Sequence, residues 1–297
     1  RVAPVMNETL SVWVAGARPR TLPAAVAPIL AGSASAAAVG RYDWLAAALC
    51  LVVALALQVG VNYANDYSDG VRGTDDDRVG PTRLVASGLA PARAVKAAAF
   101  GAFAFAGVVG LVVVALSGQW WLIGVGALSI LAAWYYTGGA KPYGYLGLGE
   151  VMVFVFFGLV ATVGTCYVIA GAAPPHAWLA ATAVGSLASA ILVANNLRDI
   201  ATDQTSGKLT LPVRLGDRRS RVFFAALTVA AVAATLAFAA LTTWWALLGL
   251  AGAPLLVTPL RLVLGGASGK ALIPVIQATG MAEIGIAAGL LAGTLLA

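Results

Sequence analysis

Two short stretches hold most of this chain's carboxylates in a pattern that can do chemistry. The first reads Asn62-Tyr63-Ala64-Asn65-Asp66-Tyr67-Ser68-Asp69 and the second Asn195-Asn196-Leu197-Arg198-Asp199-Ile200-Ala201-Thr202-Asp203. Of the 12 acidic residues, 7 fall within residues 65–77 and 199–203. Carboxylates three or four residues apart share one face of a helix. Two such faces can hold divalent cations, and Mg2+ is commonly shared between protein carboxylates and substrate phosphates. The pattern suits a diphosphate bridged by metal to Asp66 and Asp69 on one side and to Asp199 and Asp203 on the other. A solvated charge at a helix end is the commoner explanation for one Asp. Two spaced pairs, each preceded by Asn residues, argue against it here.

The neighbours extend the pattern. Asn62, Asn65, Asn195 and Asn196 offer neutral oxygen ligands or hydrogen bonds to a substrate; capping and helix–helix hydrogen bonding are the structural alternatives. Arg72, Arg78 and Arg83 follow the first cluster, and Arg198, Lys208 and Arg214 accompany the second. Lys141 stands alone in a Gly-containing loop. Arginine chelates phosphate oxygens through its fork, and lysine acts as a point charge. Lys141, Lys208, Arg72 and Arg198 are the expected diphosphate-binding set. For Arg218, Arg219, Arg221 and Arg261, anchoring beside a membrane suffices. Asp75-Asp76-Asp77 is either a solvated loop run or the source of one more ligand for the first metal site. Glu150 reads as a charge at a helix N-terminus.

The elements that must position these residues are membrane helices. The chain is 61% hydrophobic and 10% charged, with a mean hydropathy of +0.91. A soluble domain of 297 residues carries more charge. Apolar runs near twenty residues recur, so the expected fold class is an all-α integral membrane protein, one domain over residues 1–297. Nine spans are expected at 22–39, 44–64, 94–117, 119–137, 148–171, 177–197, 221–241, 243–262 and 272–296. The charged loops fall at 65–93, 138–147, 198–220 and 263–271. On this map 17 of 18 basic residues lie on the side of the N-terminus and these loops, and Arg41 alone lies opposite. The positive-inside rule then puts the N-terminus in the cytoplasm and the C-terminus outside. The net charge of +6 follows from that topology and from contact with acidic membrane lipid, and nucleic acid is not an expected partner. A carboxylate at mid-bilayer costs about 2.5–3.5 kcal/mol on insertion scales, which bound cations offset.

Asp66 and Asp199 are 133 residues apart, and Asp69 and Asp203 are 134. Each cluster closes an even-numbered span and opens a long basic loop. A parallel four-helix internal repeat would bring the clusters face to face across a central cavity. Cys50 and Cys166 lie in separate apolar spans, and His176 is the only histidine. Zinc, copper and haem chemistry have no support in that inventory. The first residues do not resemble a cleaved signal peptide.

Asn65-Asp66-x-x-Asp69 and Asp199-x-x-x-Asp203 resemble the two aspartate motifs of the UbiA-type intramembrane prenyltransferases. Three further segments are similar to the menaquinone branch of that family. They are Arg18-Pro19-Arg20-Thr21-Leu22-Pro23, Lys141-Pro142-Tyr143-Gly144-Tyr145-Leu146-Gly147-Leu148-Gly149-Glu150, and Gly207-Lys208-Leu209-Thr210-Leu211-Pro212-Val213-Arg214-Leu215-Gly216. The resemblance runs from about residue 13 to the last helix. It implies a nine-helix bundle around a central cavity in the bacterial inner membrane. It also implies Mg2+-dependent transfer of a polyprenyl chain from polyprenyl diphosphate to 1,4-dihydroxy-2-naphthoate, with decarboxylation to a demethylmenaquinol. Asp66, Asp69, Asp199 and Asp203 are then the expected catalytic and metal-holding residues, with Asn62 and Asn65 as further ligands. Asn195, Asn196 and Tyr145 are expected to orient the acceptor. The family's first motif often ends in another Asp, where this chain has Gly73 with Asp75 two residues on, so that ligand stays open. The alternatives are another aromatic acceptor, or a secondary transporter for a phosphorylated solute or divalent cation, which also uses duplicated bundles.

Overall fold

A computed structural model describes residues 3–73 and 83–297, without the side chains of residues 3–9 and Arg20. Asp75, Asp76, Asp77 and Arg78 lie outside the described residues. Every regular element among those described is helical. Apolar sequence in lipid leaves the backbone no partner but itself, and helices satisfy it within each segment.

The helices are α1 (Ala3–Ala17), α2 (Pro23–Ala37), α3 (Trp44–Arg72), α4 (Ala92–Ser117), α5 (Leu122–Tyr135), α6 (Gly149–Ala170) and α7 (Pro175–Arg198). They continue with α8 (Ile200–Thr205), α9 (Leu211–Leu215), α10 (Asp217–Leu241), α11 (Trp244–Leu264) and α12 (Gly269–Leu295). Seven of them, α3, α4, α6, α7, α10, α11 and α12, are long and apolar enough to cross a membrane. α2 and α5 are apolar but have 15 and 14 residues. At 1.5 Å per residue they cover only about 22 Å. The nine expected spans therefore divide into seven of full length and two short ones.

The structure differs from the expected boundaries where the chemistry lies. The first acidic cluster is not in a loop, because α3 runs unbroken for 29 residues and carries Asp66 and Asp69 on its last turns. The second cluster straddles a break, since α7 ends at Arg198 and Asp199 leads into the short α8. The expected loop at 198–220 is mostly helical, and α1 precedes the first span.

α7 is the central strut, with 72% of its most apolar window buried. Its alanines, serines and glycine allow close neighbours on every side. Gly185 meets Gly158 of α6 with so little room that a Cβ on Gly158 would lie 2.7 Å from the Gly185 Cα. α6 is wound as a π-helix over Phe154–Val163, through this crossing. α3 packs along α4, and α7 packs along α10, so equivalent helices of the expected repeat pair alike. α12 closes the bundle against α2 and α7. Six of the eight tryptophans, Trp44, Trp120, Trp121, Trp178, Trp244 and Trp245, are exposed at the helix ends opposite the acidic clusters. Exposed tryptophans in such a row mark a membrane interface.

Candidate active site

The four aspartates sit inside the acidic end of the bundle, each 5% exposed or less. α3 presents Asp66 and Asp69 one turn apart on one face. Both Asp66 oxygens accept backbone N–H groups, from Leu84 at 2.8 Å and Val85 at 3.0 Å, which pins that returning segment to α3. Asp69 accepts the Tyr145 hydroxyl at 2.7 Å. Arg83 Nη2 and Lys208 Nζ lie 3.7 and 3.8 Å from Asp69 Oδ2. The Tyr145 ring is flanked by the Arg72 guanidinium at 5.3 Å and the Lys208 ammonium at 5.1 Å, both within cation–π range.

On the other side, Arg198 grips Asp199 through two bonds of 2.7 Å and reaches Asn195 Oδ1 at 2.9 Å. Thr210 Oγ1 donates to Asp203 at 3.5 Å. The Asp203 carbonyl accepts the Lys208 N–H at 2.8 Å. Gly207, at φ +74°, makes the tight turn between them, and a side chain there would be strained. That turn sends the Lys208 ammonium to Asp69. One lysine thus ties the second cluster to the first across 139 residues of sequence.

The other expected residues have definite places. Asn65 accepts from Thr137 Oγ1 at 2.8 Å. The Asn62 amide donates to the Ala17 carbonyl at 2.8 Å and to Thr21 Oγ1 at 2.9 Å. Gln58 donates to the same Thr21 hydroxyl. Asn62 therefore binds the segment after α1 to α3, and its carbonyl oxygen is the group left to act as a ligand. The Arg72 guanidinium donates to the carbonyls of Thr137 and Gly139. In this arrangement Arg72 and Arg198 hold protein groups, and the Tyr145 hydroxyl donates to the Asp69 carboxylate. Lys141 is exposed on its loop. Tyr143 donates to the Ala132 carbonyl at 2.8 Å, and burial pushes its phenol pKa up, so it remains a donor. Asn196 donates to Glu150 Oε1 at 2.9 Å.

Sequence reasoning named Arg83 only among the loop cations, outside the diphosphate-binding set, and assigned no role to Thr137 or the Thr21 hydroxyl. Their only signal was position, in the loops just after or beside the motifs. The donors offered at this end are oxygens, from carboxylates and amides, as a hard cation requires. Among the described residues no three His, Cys, Asp or Glu side chains converge into a finished cage. Mg2+ fits such a partial set, because it usually takes the remainder of its octahedron from water and substrate phosphate. Each Asp66 oxygen keeps a lone pair beyond its backbone donor.

Comparison with known proteins follows the same lines. The model of the UbiA prenyltransferase family matches residues 25–271. The 1,4-dihydroxy-2-naphthoate octaprenyltransferase of Mycobacterium tuberculosis is 53% identical, over 92% of each chain. The Escherichia coli protein of that name is 40% identical, over 90% of this chain and 89% of its own. Among solved structures, a UbiA homologue from Aeropyrum pernix superimposes with a TM-score of 0.72 at 17% identity, covering 90% of this chain and 97% of that one. A homologue from Archaeoglobus fulgidus bound to GPP and Mg2+ gives 0.62 at 15% identity, over 92% and 99%. These two show a shared fold.

Proposed function

We propose that this chain, which belongs to the UbiA prenyltransferase family, moves a polyprenyl group from its diphosphate to 1,4-dihydroxy-2-naphthoate, releasing CO2 and forming a demethylmenaquinol. Two relatives with that named activity cover about nine-tenths of the chain at 40–53% identity, which favours the naphthoate over other aromatic acceptors. The observation that carries the reading is the Lys208–Asp69 contact, which makes one polar site of two distant motifs. A transporter reading expects its site near mid-membrane. Here the aspartates lie at helix ends, beside basic loops.

Mg2+, when bound, stabilises the charge that grows on the leaving diphosphate. The chain's own residues do the rest. Asp66, Asp69, Asp199 and Asp203 hold the ions, with Asn65 and the Asn62 carbonyl in reach of the same face. Lys208 and Arg83, already drawn to Asp69, supply positive charge to the diphosphate oxygens as the allylic C–O bond breaks. Lys141 comes in from its exposed loop. The apolar helices exclude water that would quench the allylic cation. The naphthoate ring attacks that cation, and its carboxylate leaves as CO2 with the bonding pair returned to the ring. The protein sits in the bacterial inner membrane, with its basic loops and N-terminus in the cytoplasm and its C-terminus outside.

The test is turnover of purified protein in lipid with Mg2+, a polyprenyl diphosphate and the naphthoate. Asp69→Ala and Asp199→Ala should each lower kcat at least about 100-fold, the scale of a lost electrostatic stabiliser. Chelation of Mg2+ should stop the wild-type enzyme. Wild-type rates in either variant would refute the assignment.

A further inference from the structure

The diphosphate site does not account for one buried acid. Glu150 opens α6 and is 2% exposed. Its Oε1 accepts from Asn196 at 2.9 Å, and its carbonyl accepts from Ser189 Oγ at 3.1 Å. Its Oε2 is fully enclosed and has no hydrogen-bond donor. A negative charge in the first turn suits the helix dipole, but that needs no burial and no Asn partner. A buried acceptor without a donor is expensive, so Oε2 calls for a partner that the chain itself does not supply.

The position says what that ligand is. Asn196 stands three residues before Asp199 on α7, about 4.5 Å deeper along the helix axis. A diphosphate held at the aspartates points its C–O bond into the apolar bundle, so the acceptor ring must lie about one turn deeper. Glu150 is at that level, bonded to Asn196. A carboxylate repels the acceptor's own carboxylate and attracts a phenolic hydroxyl. We propose that Glu150 Oε2, uncovered as the acceptor enters, accepts a hydrogen bond from a ring hydroxyl of the aromatic acceptor, with Asn196 holding the carboxylate in place. This role rests on the prenyl-transfer reading above. The bond draws electron density into the ring at the carbon that attacks the cation, and it consumes no proton overall.

Glu150→Gln tests the idea, because its amide oxygen still accepts from Asn196 while an NH2 group replaces Oε2. The variant should raise the KM for 1,4-dihydroxy-2-naphthoate at least about tenfold, the scale of a hydrogen bond to a charged group. The KM for the prenyl diphosphate should stay within about twofold. Wild-type protein given naphthoates lacking the 1- or the 4-hydroxyl should show the same loss with one of them, and with that analogue the variant and wild type should match. The wild-type half of this arm needs no variant, so full activity with both analogues overturns the role even if Glu150→Gln does not fold. An unchanged acceptor KM, an equal loss for donor and acceptor, or full activity with both analogues would overturn the role of Glu150 alone. Failure of wild-type protein to bind or prenylate the dihydroxynaphthoate would overturn the function reading, and this role with it.

Discussion

The Tyr145 hydroxyl donates to Asp69 while Arg72 and Lys208 lie against its ring, so one side chain arranges three charges. Tyr145→Phe keeps both ring contacts and removes only the donor. We expect kcat/KM for the diphosphate to fall about 5–10-fold, the worth of one hydrogen bond to a carboxylate, with little change in thermal stability. Tyr145→Ala should lose about tenfold more, because the cation–π contacts go too. Steady-state kinetics on both variants checks the order. The aspartate pairs were legible in the sequence because acidic residues are rare there and their spacing is helical. The contacts that join the two clusters were not, since Tyr145 and Lys208 reach Asp69 from segments remote in sequence. Asn62 illustrates this: its amide binds the Ala17 carbonyl, and no pattern announced that α1 would end beside α3.

At the scale of the helix, contacts between small residues decide the geometry. Gly158→Val places a methyl-bearing carbon against the Gly185 backbone and should destabilise the protein by about 1–3 kcal/mol, as overpacking does. Gly164→Ala, on the same helix with open space beside it, should be neutral or mildly stabilising. Thermal unfolding in one detergent compares the two. α12 holds a different irregularity, because Glu283 is wholly buried with neither carboxyl oxygen hydrogen-bonded. Replacing it by an apolar side chain of similar size, Glu283→Leu, should raise the unfolding temperature, since an unpaired buried acid disfavours the folded state. The apolar helices were readable from hydropathy alone, but their ends were not, nor were α1, α8 and α9. α3 continues past its apolar run because Asp66 finds backbone donors at Leu84 and Val85, a tertiary effect with no local signature.

For the whole molecule, topology is the remaining expectation. In a background with Cys50 and Cys166 replaced, Arg41→Cys should react with an impermeant maleimide from outside intact cells. Arg218→Cys should react only after lysis. The reverse pattern would invert the proposed orientation. The tryptophan row adds a consequence about the lipid itself. α5 begins at that row, directly after Trp121, and covers only about 22 Å of a hydrocarbon core near 30 Å, with α2 equally short. The shortfall of α5 therefore falls at its end nearer the aspartates, and local thinning of the leaflet there would accommodate it. Through such a thinned region a charged headgroup can reach the acidic face while its tail stays in oil. Catalysis should then depend on acyl length, with thicker vesicles slowing an enzyme whose every side chain is intact.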